Sequence, residues 1–248
     1  MFHATKKTYQ IIIEMIHSVK KLKKRINSKK LILKINKIVV YLQINKIYKK
    51  MSKKVLYLHG FASAGSSGTA LHLRNSLYEY GIPVISPDIP VSPAEALPFL
   101  KRLVEIEQPS LIVATSMGAL YAELLHGIPR ILVNPSFCMA RLLKFRGLGK
   151  RQEFRNKREN GERDFKVDKK MIEEFKEVEK ELFKSAKTEK DLVWGLFGNQ
   201  DKNVNCQPDF KKHYGNEHFQ IFEGEHFLND AILKRSVWPV ICRILDIE

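Results

Sequence analysis

Six short apolar runs alternate with helical patterns from Met51 onward, and this alternation constrains the fold more than any other feature of the sequence. The runs predict strands at residues 54–58, 83–86, 110–114, 130–133, 191–197 and 218–222. Helices are predicted at about 67–80, 94–107, 117–126, 170–187 and 227–245. Because parallel strands need crossover connections, the pattern predicts an α/β fold, with a parallel sheet covered by helices on both faces.

One interval breaks this alternation. Almost sixty residues separate the strand near 130–133 from the strand near 191, far more than one crossover helix needs. Charged residues and helical patterns fill the interval, so we expect a helical cap, inserted at about 135–190, over the carboxyl ends of the strands. Open α/β sheets bind their ligands at that edge. The basic stretch from Arg141 to Arg158 is more typical of a solvated face than of an anion site.

A single hydroxyl stands at the junction of the third strand and the helix that follows, in the run Ala114-Thr115-Ser116-Met117-Gly118. A sharp turn that exposes a nucleophile needs small residues two positions before and after it, where the strand and helix backbones pass close together. Ala114 and Gly118 occupy those positions. Such a turn would expose the Ser116 hydroxyl and direct the Met117 N–H toward an oxyanion. Taken alone the pattern is weak, because a serine before a helix is often only a cap.

An acid and a histidine follow in the order that a serine nucleophile requires. Asp201 comes after the fifth strand, in "FGNQDKNV", and His226 comes after the sixth, in "FEGEHFLND". Both should lie beside Ser116, where His226 would accept the serine proton and Asp201 would hold the imidazole tautomer. Asp209 and Glu225 are nearby alternatives for the acid. Asp209 is disfavoured because it falls in the first turn of a predicted helix, where it would face the helix amides.

The first strand ends in "VLYLHGF", and its loop supplies a further part of the predicted site. In hydrolases of this architecture the second oxyanion donor comes from this loop. We therefore expect the N–H of Phe61 to be that donor, with Gly60 allowing the backbone to approach. His59 is expected to hold the loop rather than act as a second base. The serines and glycines at 63–68 are not a phosphate loop, because no G-K-[ST] follows.

Five segments together resemble a known family: "LYLHGFASAGSSG", "ATSMGALYA", "NPS", "ENGERDFKVDKKMIEEFKE" and "EGEHFLND". They are similar to the small bacterial esterases of the YqiA type, in the α/β-hydrolase superfamily. The resemblance covers essentially all of 53–246 and none of 1–50. It implies a cytoplasmic, cofactor-free serine esterase that acts on short or medium acyl esters, or on thioesters.

The resemblance also implies the site residues. The nucleophile, acid and base carry over onto Ser116, Asp201 and His226, and the oxyanion amides onto Phe61 and Met117. Two positions depart from the family's pattern, since Ala114 replaces the usual first glycine of the turn and Glu225 stands where glycine often precedes the histidine. Neither change removes a catalytic atom.

We therefore expect an α/β-hydrolase fold whose six-stranded, mainly parallel sheet has the spatial order 2-1-3-4-5-6 and lacks the superfamily's first two, antiparallel-edge strands. The expected function is hydrolysis of a small carboxylic ester through an acyl-serine intermediate, without cofactor or metal. Two alternatives stay open. The same triad serves thioesterases, amidases and acyltransferases, and the fold could serve as a binding module without turnover.

The net charge of +16 does not indicate a nucleic-acid-binding domain, because most of it lies in residues 1–50. That extension carries 14 basic residues against one acid, Glu14, whereas the remainder carries 29 basic and 26 acidic residues. We therefore expect the domain at 51–248 to bind no nucleic acid.

The extension has no run of about 20 apolar residues that could span a membrane, and no secretory signal. Apolar residues on one helical face, surrounded by lysines, leave membrane-surface or nucleic-acid binding by 1–50 open. The favoured interpretation is that translation starts at Met51 and that 1–50 is upstream sequence read in frame. Three widely spaced cysteines, Cys138, Cys206 and Cys242, predict reduced thiols in a cytoplasmic protein.

Overall fold

The computed structural model describes Val40 and residues 53–247. The predicted extension at 1–50 and the Met51 start lie outside the described residues, apart from Val40. The unit described below begins at Lys53. Within the described residues, no helix has both the length and the apolar character needed to cross a membrane.

Six strands form one sheet, and they are β1 Val55–Leu58, β2 Val84–Ile85, β3 Leu111–Thr115, β4 Arg130–Val133, β7 Val193–Gly198 and β8 Phe219–Phe222. Their spatial order is β2-β1-β3-β4-β7-β8. Counted along the chain within this sheet, it is the predicted order 2-1-3-4-5-6. Every neighbouring pair is parallel, so all six strands end at the same edge of the sheet.

The helices are α1 Gly68–Tyr78, α2 Pro93–Glu107, α3 Met117–Glu123, α4 Met139–Arg146, α5 Lys169–Glu179, α6 Ala186–Glu189, α7 Gln207–Tyr214, α8 Asp230–Ile232 and α9 Trp238–Leu245. A 3₁₀ turn at Lys190–Leu192 precedes β7, and a π-helical turn at Leu233–Val237 joins α8 to α9. The sequence predicts one continuous helix at 227–245, whereas the structure divides it at this π turn.

Two apolar clusters cover the two faces of the sheet, because successive strand residues point to opposite faces. In β1, Val55 and Tyr57 pack into the cluster that contains α1 and α9. Leu56 and Leu58 pack into the cluster that contains α2, α3, α5 and α7. The predicted α/β arrangement, a sheet with helices on both faces, is confirmed.

The segment between β4 and β7 differs in part from the predicted helical cap. After α4 it forms an antiparallel hairpin of β5 Arg151–Glu153 and β6 Asp164–Lys166, and only then continues into α5 and α6. The hairpin strands are three residues long and rich in charge, so they lack the apolar alternation that reveals a strand. The hairpin segment reaches the loop after β1, where the Phe61 and Phe165 rings meet edge to face at 5.2 Å.

Candidate active site

Ser116, Asp201 and His226, which the sequence places after three different strands, meet at one point of the sheet edge. His226 Nε2 lies 2.9 Å from Ser116 Oγ, and His226 Nδ1 lies 2.7 Å from Asp201 Oδ2. Only 8% of the His226 side chain and 5% of the Asp201 side chain are exposed. In this geometry the imidazole can take the hydroxyl proton while the carboxylate orients the ring.

The backbone at Ser116 has φ 54° and ψ −117°, a conformation that costs free energy in a residue other than glycine. This sharp turn joins β3 directly to α3. Gly118 stands where the turn touches β1, and a Cβ atom there would lie 2.3 Å from the carbonyl oxygen of Leu58. Glycine is therefore required two residues after Ser116. Ala114, two residues before it, is fully buried, and its single methyl fits.

The loop after β7 holds Asp201 through its own main chain. Asp201 Oδ1 accepts hydrogen bonds from the N–H groups of Asn203 (2.8 Å) and Val204 (3.1 Å), while Oδ2 faces His226. Burial alone would raise the pKa of Asp201, but the hydrogen bond with His226 and those two amides bring it below its ordinary value. Asp209 lies in the first turn of α7, as the sequence predicts.

Asn134 is a buried residue of the site that sequence reasoning did not assign. It follows β4 with φ 45°, and its side-chain oxygen accepts a hydrogen bond from the Gly198 N–H at 2.7 Å. Its Nδ2 donates to the carbonyls of Glu225 and His226, at 3.0 and 3.1 Å. One side chain therefore ties the end of β7 to the loop that carries the histidine. The available signal was the quoted run "NPS", to which no role was given.

Ser136, in the same run, was also missed. Its Oγ lies 3.0 Å from Ser116 Oγ, and its N–H donates to the Ser116 carbonyl at 3.1 Å. Ser136 is 1% exposed and lines the same cleft. The hydroxyl of Ser116 therefore has two neighbours, His226 and Ser136, that position it.

The loop after β1 lies against Ser116. A Cβ atom on Gly60 would stand 3.2 Å from the Ser116 Cβ, so this glycine permits the close approach. His59 holds the loop from behind: its Nε2 accepts the Ile89 N–H at 3.1 Å, and its Nδ1 lies 2.9 Å from the Gly60 carbonyl. These partners require a neutral ring with the proton on Nδ1. Burial lowers the pKa of His59 to about 4, which favours the same neutral form.

The two residues expected to supply oxyanion amides flank the nucleophile. Phe61 follows Gly60 in the loop after β1 and lines the cleft. Met117 is the first residue of α3, and a first helical N–H has no partner within its own helix. Both positions are compatible with donation to a substrate carbonyl held at Ser116.

A cleft of about 550 Å³ opens above Ser116 and His226. Four apolar residues from α4 and the loop after β7 line it, namely Met139, Leu142, Leu143 and Val204. Polar side chains also line the cleft. They come from the loop after β1 and the start of α1 (Ser63, Ser67, Thr69), the end of α4 and the loop after β7 (Arg146, Asn203), the hairpin segment (Gln152, Arg155, Asn156) and the loop after β8 (Asn229). Within residues 53–247 there is no cluster of three or more His, Cys, Asp or Glu side chains suited to a metal ion.

The family model of the uncharacterised protein family UPF0227 matches residues 54–240. The chain belongs to this family. The match spans the sheet, the segment between β4 and β7, and all three residues that meet at the sheet edge. The match begins at residue 54, directly after Lys53, the first described residue of the domain.

Solved structures share the fold of this UPF0227 protein. Est1E from Butyrivibrio proteoclasticus with ferulic acid bound has 15% identity and a TM-score of 0.54, covering 78% of this chain and 87% of its own. A monoacylglycerol lipase from Paleococcus ferrophilus has 14% identity, TM-score 0.51 and coverages of 78% and 94%. The thioesterase domain from the curacin biosynthetic pathway has 14% identity and a TM-score of 0.50, and the match covers 78% of this chain and 91% of that domain. The predicted α/β-hydrolase fold is confirmed.

Proposed function

We propose that this UPF0227 protein is a serine hydrolase that cleaves small carboxylic esters through an acyl-serine intermediate. The observation that supports it most is the continuous hydrogen-bond chain from Ser116 through His226 to Asp201 at the mouth of a cleft. The strained turn at Ser116 supports it further, because strain of this kind is kept where a side chain must be presented to a ligand.

In the proposed reaction, Ser116 Oγ attacks the ester carbonyl carbon while its proton passes to His226 Nε2. The N–H groups of Phe61 and Met117 donate to the developing oxyanion. Asp201 stabilises the imidazolium, which then gives its proton to the leaving alcohol oxygen. Water, deprotonated by His226, attacks the acyl-serine and releases the acid.

The cleft supports a substrate of short or medium acyl length. Its volume is that of an ordinary small-molecule site, and the side chains of α4 offer an apolar surface for an acyl chain. The monoacylglycerol lipase among the structural neighbours is named for the cleavage of an ester, which supports the same choice. We propose no cofactor for the reaction, and the cytoplasm as its location.

Thioester hydrolysis is the second candidate, supported by the thioesterase domain among the structural neighbours. The residues that would attack the carbonyl are the same for both substrates. Profiling matched ester and thioester series over acyl chain length separates the two, since the preferred series has the higher kcat/KM.

Removal of the Ser116 hydroxyl tests the proposal. The full chain should react with a fluorophosphonate at Ser116 and turn over 4-nitrophenyl butyrate. Ser116→Ala should abolish labelling and lower turnover by on the order of 10⁶-fold, while leaving folding nearly unchanged. Ser76→Ala, which removes a hydroxyl from α1 outside the cleft, is the matched control and should behave like the parent.

Two results would count against the proposal in different ways. Turnover by Ser116→Ala within tenfold of the parent would show that another group attacks the substrate. A parent that reacts with the fluorophosphonate but cleaves no ester or thioester would reject the proposed hydrolysis and favour the binding module.

A further inference from the structure

Arg155 lies between the two loops that flank the nucleophile. It follows β5, and its N–H donates to the carbonyl oxygen of Ala62, in the loop after β1, at 2.9 Å. Its guanidinium carbon stands 4.4 Å from the centre of the Phe227 ring. Phe227 is the neighbour of His226, and both Arg155 and Phe227 line the cleft. The sequence predicts a solvated face for this basic stretch; Arg155 is exposed, as predicted, and it also lines the cleft of the candidate active site.

The charge of Arg155 is not neutralised within the described part of the chain. Two other arginines of the same segment are paired, Arg151 with Asp164 and Arg158 with Glu162. Arg146, at the end of α4, also lines the cleft without an ion pair to any described residue, and its guanidinium donates to the Asn203 carbonyl at 3.4 Å rather than packing on Phe227. No carboxylate among residues 53–247 comes within ion-pair distance of Arg155. The one acid that lines the cleft is Asp230, and its carboxylate faces His72 at 3.2 Å. A guanidinium therefore stands at the cleft with its donors available to an anion.

The position of Phe227 indicates which part of an ester this guanidinium would meet. The His226 and Phe227 rings contact edge to face, with centroids 5.3 Å apart. Because His226 must hand its proton to the leaving oxygen, the leaving group has to pass beside His226. Arg155, over the Phe227 ring, lies along that path, whereas the apolar side chains of α4 are suited to the acyl chain.

We propose that the cleft selects esters whose alcohol part carries an anionic group, a carboxylate or a phosphate, and that Arg155 binds this group. The inference rests on the proposed ester hydrolysis and names its substrate class. The planar guanidinium matches the oxygens of either anion with two parallel N–H donors. Packing on Phe227 limits the freedom of the side chain, so less rotamer entropy is lost when the anion binds.

Two esters that differ in one para substituent, charged in one and neutral in the other, test the subsite. The two substrates are 4-carboxyphenyl butyrate and its neutral counterpart 4-carbamoylphenyl butyrate, which share the acyl chain and ring. The parent should show a kcat/KM about tenfold higher for the carboxylate, the size expected for one charge-assisted hydrogen-bonded contact. Arg155→Gln should remove this preference mainly through KM. A third ester, 4-phosphonooxyphenyl butyrate, distinguishes phosphate from carboxylate.

Arg102→Gln is the matched control, because it removes one exposed positive charge from α2, outside the cleft. It should keep the preference for the anion, and Arg155→Lys should restore part of it. The preference should also shrink with rising salt concentration. Equal kcat/KM for anionic and neutral esters in the parent, or an unchanged preference in Arg155→Gln, would overturn the subsite.

Binding separates failure of the subsite from failure of the proposed function. Calorimetry on Ser116→Ala, which cannot form the acyl-serine, should show tighter binding of 4-carboxyphenyl butyrate than of the carbamoyl ester. The double variant Ser116→Ala with Arg155→Gln should bind both equally. If the parent cleaves neither ester but this binding difference is present, the anion subsite is supported and the proposed hydrolysis is rejected. If the binding difference is absent, the subsite falls.

Discussion

The strand-end loops and the segment between β4 and β7 both face the cleft, but they are held in different ways. The loops after β3, β7 and β8 continue hydrogen-bonded strands, and main-chain contacts such as Ser116 N–H to the Val133 carbonyl (3.0 Å) extend the order of the sheet into them. The segment between β4 and β7 contributes a hairpin whose strands are three residues long. The groups proposed for chemistry therefore stand on the sheet, and those proposed for selectivity stand on the segment above it.

A few side chains hold this segment in place. Arg158 is 4% exposed and donates to the Ile89 carbonyl at 3.1 Å, while its guanidinium covers the Phe154 ring at 4.5 Å. Phe165 lies between the rings of Phe61 and Phe154, at 5.2 and 4.9 Å. Side-chain packing, rather than a continuous ladder, positions the hairpin. Changes on the segment should therefore alter binding, and changes on the strand-end loops should alter chemistry.

The largest effect that would sharpen this contrast is expected at Asp201. Asp201→Asn should preserve the fold and lower kcat for 4-nitrophenyl butyrate by up to ~10⁴-fold, because the amide cannot hold the productive imidazole tautomer. Asp209→Asn, in the first turn of α7, is the matched control and should have little effect. Steady-state kinetics on both variants decides the question, and an exchange of their behaviour would assign the acid to Asp209.

A smaller effect is expected from His59, which supports the strand-end loops from beneath. Burial lowers its pKa from 6.5 to about 4. Between about pH 6.5 and 4, therefore, the unfolded chain binds a proton at this imidazole that the native state does not bind. The free energy of unfolding should therefore fall as pH drops from about 6.5 to 4, by on the order of 3 kcal/mol. In His59→Gln the glutamine oxygen can accept the Ile89 N–H but cannot titrate.

Urea unfolding of the parent and of His59→Gln at a series of pH values tests this. The parent curve should be steeper between pH 6.5 and 4, and the two should run parallel above pH 7. Curves that run parallel throughout would show that His59 does not carry this pH dependence.

The smallest effect is expected on the segment between β4 and β7. Leu142→Ala shortens a half-buried side chain of α4 that lines the cleft. Loss of its contact with an acyl chain should raise KM for a hexanoate ester by up to about tenfold and leave kcat nearly unchanged. The acetate ester, whose acyl chain has a single methyl beyond the carbonyl, is the internal control. A fall in kcat for both esters would mean that α4 also positions the reacting groups, and the contrast between the two regions would fail.

Much of the architecture could be predicted from the sequence because its signals are local. Apolar runs separated by helical patterns are sufficient to predict a parallel sheet, because parallel strands need crossover connections. The strand order was expected from the resemblance to the α/β-hydrolase superfamily. The turn at Ser116 also has a local sequence pattern, small residues two positions before and after the serine, although the backbone that Gly118 must avoid belongs to Leu58 of β1. The meeting of Ser116, Asp201 and His226 follows from parallel strands that share one edge, although their catalytic roles stay a proposal.

What only the tertiary structure decided depends on contacts between residues far apart in the chain. The β5–β6 hairpin carries no apolar alternation, because one aromatic side chain of β6, Phe165, together with the neighbouring Phe154 and the buried Arg158, fastens it to the domain. Asn134 joins Gly198 to the loop of His226 across two neighbouring strands, which its sequence position cannot reveal. In the sequence Arg155 is one of several arginines in a basic stretch, whereas in the structure it packs on Phe227, 72 residues further along the chain. The sequence by itself determined the sheet and the order of groups along its edge, because strand periodicity and turn sterics act locally. The lining of the cleft needed the tertiary structure, because side chains brought together from distant segments create it.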